Sequence, residues 1–505
     1  MKPVLLVVID ALASRVILPA MRNGQLPTLQ NLSQRGKLRE ECISIFPSIT
    51  PAATSSILTG DYPSEHGVAG AFFYNTDEDR VRYFGTDIWA ILREGFSSYF
   101  NDFGVKLNEE ILESETLFEL AAEHRLSTGS LNYLIYHGPV KHNVESPWIF
   151  KMWPGINFEK HVHGPDMMVT GDFVSTLPHA VDEEANPSGG MFNRFGFQDK
   201  TTAELLLQVA KSDAWPDFLV AYFPDNDFDS HREGPASALA TVQKVDQCLA
   251  EMIALSGGFE NFLERRSIMI LGDHAQSDLI ADADARAVDL NEALSGFNLV
   301  EAGHTWSDQD QLMVCPNMRA AQIYLRHGYQ ERLDEISAQL TSDRRVDQVI
   351  WRRPPGTDCS TEFHVLTADR GSLRFSDAAK GGDSTSEMAT DEFGNSWNIE
   401  GDLDTIDATV TDGEIVYRSY PNALERISTS FHCKNSGDVW VTAAEGYEFV
   451  LPETSVHGAG SHGSLHEHDS LTPLICAGLP DDVKVPDPIR TIDVAKICRD
   501  VLGIS

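Results

Sequence analysis

The chain has 505 residues, 42% of them hydrophobic, and a formal net charge of −37 from 39 basic and 76 acidic side chains. That balance excludes general binding to nucleic acid or to an anionic membrane, both of which need a basic face. It leaves room for a small anionic substrate, because bound metal ions reverse a local field.

The N-terminus, "MKPVLLVVID", carries an apolar run over 3–9 that is too short for a signal-peptide core with its cleavage site or for a membrane span. It reads as a buried strand ending in Asp10. "PTLQNLSQRG" (27–36) reads as a helix. In "FPSITPAATSSILTG" (46–60), Thr50 before Pro51 predicts an N-cap with proline at the first helical position, and Gly60 predicts the C-terminal stop. "ETLFELAAEHR" (115–125) predicts another helix, and residues of about 135–200, rich in Pro, His, Gly and Met, an irregular insertion. Next come a helix (202–211), a strand (217–223), a helix (238–256) and a strand (267–272). From 318 to 435 a local unit of strands and one helix predicts a smaller α+β cap, with the polar stretch "SDAAKGGDSTSEMATDEFGNSW" as loop. Strands at 438–443 and 473–478 and a helix at 492–503 complete the chain. The alternation predicts an α/β fold, a mostly parallel sheet flanked by helices, with 1–317 and 436–505 as its core. Seven scattered cysteines without a CxxC pair point to a reducing compartment, and no run reaches membrane length, so a soluble, cytoplasmic protein is expected.

The residues after each predicted strand carry the chemistry. Asp10 follows the first. "PDNDFDSH" after the second supplies Asp225, Asp227, Asp229 and His231. Asp273 and His274 follow the third, and "HGAGSHGSLHEHD" supplies His457, His462, His466 and His468. Functional groups gather beyond the carboxyl ends of strands in open α/β sheets. Taken singly, each of these groups is as well explained as a turn, cap or surface residue. Together, buried carboxylates without counter-charge would repel one another. Asp/His mixtures are the ligand set of zinc, manganese or iron.

Five separated segments, in order, resemble the alkaline phosphatase superfamily, and within it the type I phosphodiesterase/nucleotide pyrophosphatase branch. "VVIDAL" resembles its first metal-binding strand, and "FPSITPAATSSILTGDYPSEHGV" resembles F-P-S/T-x-T with the downstream T-G-x-x-P-x-x-H-G. "DNDFDSHREGP" is similar to D-x-x-G-H-x-x-G-P, "LGDHAQ" to G-D-H-G-M, and "GSHGSL" supplies a final histidine. The resemblance implies an alkaline-phosphatase-like core and two divalent metal ions, usually zinc in this family, with manganese or iron also compatible. One ion would be held by Asp227, His231 and His462, the other by Asp10, Asp273, His274 and the Thr50 oxygen. It further implies that Thr50 attacks phosphorus and passes through a phospho-threonine intermediate.

The chain also departs from the family pattern. Ala71 stands where relatives carry Asn after H-G, with Asn75 nearby as a candidate substrate contact, and Ser230 replaces the glycine before His231. No C-x-P-x-R segment is present, which excludes a formylglycine sulfatase. The expected function is a phosphodiesterase or nucleotide pyrophosphatase acting on a small phosphorylated substrate. The alternative is a hydrolase of phosphomonoesters or of a phosphonate such as phosphonoacetate, and a remoter one is a non-catalytic relative that binds metal or nucleotide. Lys151, Lys160 and Arg194 are candidates for a second anionic group on the substrate.

Overall fold

The run VLLVVI forms the strand Val4–Ile9, and all six of its side chains are buried. A strand apolar at every position belongs inside a sheet covered on both faces. The computed structural model describes residues 2–84, 101–145, 160–182, 191–301, 304–353, 361–380, 387–451 and 456–504. In it Val4, Leu6 and Val8 pack in one core with Ala52, Ala53 and Ile57 of the helix Thr50–Thr59 and with Val494 and Ile497 of the helix Asp493–Leu502. Leu5, Val7 and Ile9 face a second core, shared with the helices Asp199–Ser212 and Leu239–Leu255.

The sheet has nine strands, in the order Ile489–Arg490, Lys37–Ile43, Leu471–Ala477, Ser267–Leu271, Val4–Ile9, Phe218–Phe223, Thr128–Leu131, Met167–Thr170, Val174–Thr176. Val4–Ile9 pairs in parallel with both Phe218–Phe223 and Ser267–Leu271. These three adjacent strands therefore deliver Asp10, the helix Asp225–Glu233 and the pair Asp273–His274 to one edge. Leu471–Ala477 runs antiparallel to both Ser267–Leu271 and Lys37–Ile43. Lys37–Ile43 thus points the same way as the central strands and brings Thr50 to that edge as well.

A second, largely antiparallel sheet has ten strands. The strand Val439–Ala443 lies in its middle, between Ala320–Leu325 and Val346–Arg353, rather than in the first sheet. With Leu312–Asn317 it flanks the 318–435 segment, so the sheet is wider than that segment. The polar stretch 376–397, expected as loop, contains the strand Glu387–Thr390, which pairs with Ser396–Gly401. Asp391 closes this hairpin by accepting the amides of Phe393 and Asn395 and the Trp397 indole N–H. A run of turn-forming polar residues therefore hides two short strands.

A buried ion pair joins the two sheets. Arg319 precedes the strand Ala320–Leu325, and its Nη1 lies 2.6 Å from Asp469 Oδ1, with the two side chains 1% and 0% exposed. Asp469 also accepts from Ser277 Oγ, Ser464 N and Ser464 Oγ. The Arg319 amide donates to His462 O, and Asp469 O accepts from Ala275 N. No helix among the described residues is long and apolar enough to cross a membrane.

Candidate metal centre and active site

Thr50 is the first residue of its helix and Ile49 the cap, one position off the sequence expectation. The physical reason is that the Thr50 hydroxyl caps no backbone amide. It lies 3.0 Å from His274 Nε2 instead. Gly60 ends the helix at φ 82°, as expected of a C-terminal glycine. The preceding segment is stitched to the rest of the edge: Ser44 Oγ donates to Asp273 O, and Ser48 Oγ to Ser464 O.

The three imidazoles are fixed in one tautomer. His231 Nδ1 donates to Gly460 O at 2.8 Å, His274 Nδ1 to Ala275 O at 3.0 Å, and His462 Nδ1 to Ser48 O at 2.7 Å. A carbonyl only accepts, so Nδ1 of each ring carries a proton, and in the neutral ring each Nε2 presents a lone pair. Those lone pairs face carboxylates. His274 Nε2 is 3.4 Å from Asp10 Oδ1 and 3.6 Å from Asp273 Oδ2, while His231 and His462 Nε2 lie 3.4 and 3.5 Å from Asp227 Oδ1. Two groups of three donors gather within 4.8 Å, Asp10–Asp273–His274 and Asp227–His274–His462. His274 is common to both. His231 approaches Asp227 and stacks on His457 at 4.0 Å, outside either group.

This donor set fits a cation. Asp10 Oδ1, Asp273 Oδ2, His231 Nε2 and His462 Nε2 are buried with no hydrogen-bond partner. The opposite oxygens of the first two are occupied: Tyr222 donates its hydroxyl to Asp10 Oδ2, and Ala11 N and His274 N donate to Asp273 Oδ1. Burial pushes the Asp10 carboxyl well above its usual range, and the charges of Asp273 and Asp227 push it further. Burial also raises Asp227, to about 6. Burial depresses His231 and His462 well below the ordinary imidazole value. A cluster made only of acceptors, and too buried to charge freely, is stabilised by an ion in its middle.

Other candidates fall elsewhere. Asn75 is buried in a hairpin, where its Oδ1 accepts the amides of Asp77 and Glu78 and its Nδ2 donates to Glu78. Its hydrogen bonds stay within that turn. The Ala71 amide donates to Asn317 Oδ1 at 2.8 Å. Arg194 ion-pairs with Asp225 and lies over the Phe228 ring, on the helix that carries Asp227 and His231. Lys160 is exposed, and Lys151 lies outside the described residues. Glu445, His466 and His468 form a separate group, but His466 Nδ1 accepts the His468 amide, which places the neutral ring's proton on Nε2. That arrangement caps the helix Glu467–Ser470. Sequence reading passed over Tyr222 and Gln276; the first is a single polar tip in an apolar strand, and the second stands at the Met position of G-D-H-G-M.

A family model described as type I phosphodiesterase / nucleotide pyrophosphatase matches residues 4–377. The chain belongs to this family. Two solved structures of phosphonoacetate hydrolase from Sinorhizobium meliloti 1021, in complex with phosphonoformate and with phosphonoacetate, share its fold. Each has a TM-score of 0.57 at 14% identity, covering 99% of this chain and 96% of that one. No curated protein matches the sequence. The family is one of metal-dependent phosphoryl hydrolases, and this chain carries groups of candidate metal ligands.

Proposed function

We propose that the chain hydrolyses a phosphodiester or pyrophosphate bond of a small substrate, with Thr50 as nucleophile beside two divalent cations. The observation that carries this reading is the placement of Thr50 Oγ1, 3.0 Å from His274 Nε2, on the one histidine that belongs to both groups of candidate ligands. Asp10, Asp273, His274 and the Thr50 oxygen would hold one ion, and Asp227, His231 and His462 the other, with zinc the first choice. Bound there, the ions supply Lewis-acid polarisation of the phosphoryl oxygens and favour the ionised threonine hydroxyl. The chain's own residues supply the geometry. Pro51 has no N–H and Ala53 N bonds back to Ile49 O, so the helix leaves the Thr50 and Ala52 amides to meet an anion. Attack by Thr50 would form an ester to phosphorus and break the bond to the leaving oxygen, and water would then release Thr50.

A second reading, hydrolysis of a phosphonate, is favoured by the fold shared with phosphonoacetate hydrolase and by Ala71 in place of the relatives' Asn. Metal analysis with a chromogenic diester, a monoester and phosphonoacetate, before and after chelation, tests both. Diester turnover that chelation abolishes supports the first reading. Turnover confined to phosphonoacetate selects the second, and full activity in a metal-free preparation rejects both.

A further inference from the structure

Gln276 is fully buried two residues beyond His274, and Arg15 fixes its backbone by donating to its carbonyl oxygen at 2.9 Å. Its Nε2 donates to Asp227 Oδ1 at 2.9 Å. That oxygen is the one nearest to His231 and His462 Nε2, and Asp227 takes no other side-chain hydrogen bond among the described residues. The amide orientation follows from charge, because the flipped form would set Oε1 against a carboxylate oxygen. Gly460 makes the room: a Cβ there would lie 2.5 Å from Gln276 Oε1, and the same glycine's carbonyl holds His231 Nδ1.

We propose that Gln276 is a positioning residue that aims Asp227 and couples the two halves of the centre; this rests on the metal-dependent reading above. One loop carries Asp273 and His274 for one half and the amide that orients Asp227 for the other. Without it, Asp227 sits on a helix with its carboxylate partly open to solvent and free to turn away. Loss of a hydrogen bond to a ligating group typically costs about 10–100-fold in metal affinity.

The test is zinc binding to the full chain by chelator competition, with metal content measured after dialysis. Gln276→Met should retain the fold but lower the tightly held ions from about two to about one per chain. The loosened ion should bind at least about tenfold more weakly. Gln276→Asn, too short to reach Asp227, should match it and guards against a folding failure of the first variant. In an Asp227→Ala background, Gln276→Met should cause no further loss, because the residue acts through Asp227. Two ions held by Gln276→Met as tightly as by the parent would overturn the proposal alone. So would an additional loss in the Asp227→Ala background. A parent that binds no zinc would overturn the site reading together with it.

Discussion

Replacing Asp469 by Asn removes the negative member of an ion pair that bridges the two sheets and leaves its shape almost unchanged. Arg319 stays behind, 1% exposed, with a charge that no other carboxylate approaches within ion-pair distance among the described residues. Breaking a buried pair by removing one partner costs about 3–5 kcal/mol. Asn retains one acceptor oxygen, but its amide N–H₂ meets donors that Asp469 accepted from, Ser464 N and Ser464 Oγ on one oxygen or Ser277 Oγ and Arg319 on the other. The expected loss is therefore about 3 kcal/mol, the lower part of that range. Equilibrium urea unfolding of the metal-loaded protein measures it, with Glu40→Gln as control. Glu40 pairs with Arg22 on the surface, the two 50% and 63% exposed, and that change should cost under about 1 kcal/mol. An Asp469→Asn loss no greater than the control's would refute the view that this pair holds the sheets together. The pH dependence has a fixed sign. Burial alone would raise Asp469, but Arg319 and the bonds from Ser277 and Ser464 outweigh it and hold the carboxyl below its usual value. Its contribution is present above the unfolded carboxyl pKa and lost as pH falls through the lower folded one.

Thr50→Ala should lose nearly all turnover and Thr50→Ser retain a substantial part; equal rates for Thr50→Ala and the parent would reject the nucleophile, and mass spectrometry after acid quench should find phosphate on Thr50 in the parent. His462→Ala should release the ion shared with Asp227, whereas His468→Ala, which removes a partner of Glu445, Glu467 and His466, should leave metal content unchanged. For the ion-free protein, Asp227 is raised to about 6, so the folded state binds its proton more tightly than the unfolded chain does. The stability this carboxyl contributes should then fall as pH rises from about 4 through about 6, while the depressed His231 and His462 act with the opposite sign. Thermal melts of the ion-free parent against Asp227→Asn across this range isolate the carboxyl's part, and a difference that does not change with pH would contradict the burial argument.

The central sheet was legible because fully buried strands announce themselves as short unbroken apolar runs. Four of the five predicted buried strands lie in the nine-stranded sheet within two residues of expectation, the exception being Val439–Ala443. That strand is as apolar as the others, and nothing local tells which of two sheets an apolar strand joins. The hairpin Ala408–Thr411/Glu414–Tyr417 did carry a signal, Asp412-Gly413 with both residues at positive φ, but its strands are polar on one face and half exposed. At the site, the sequence named groups that converge: Asp10, the helix Asp225–Glu233 and Asp273–His274 each follow a strand at one edge, whereas His462 joins them from outside that sheet. It could not name their supports. Tyr222, Gln276, Arg319 and Asp469 act on residues far away in the chain, and a side chain that serves a distant partner leaves no local pattern.

The net charge of −37 and the reading of an anionic substrate look opposed, and the geometry of the centre resolves them. Three carboxylates face three imidazole lone pairs, so without cations the space beside Thr50 offers acceptors where a phosphoryl group needs donors. The Arg194 guanidinium, which could draw an anion toward the helix Asp225–Glu233, is ion-paired with Asp225. Among the described residues, attraction for a substrate beside Thr50 would therefore come from ions held there, with the Thr50 and Ala52 amides adding the partial charge of a helix N-terminus. On the proposed reading, phosphate affinity and metal occupancy would be one property of this centre. Inorganic phosphate should bind the metal-loaded chain and fail to bind the chelated one even though the fold persists, and a chelated chain that still bound phosphate would place the anion site somewhere other than beside Thr50.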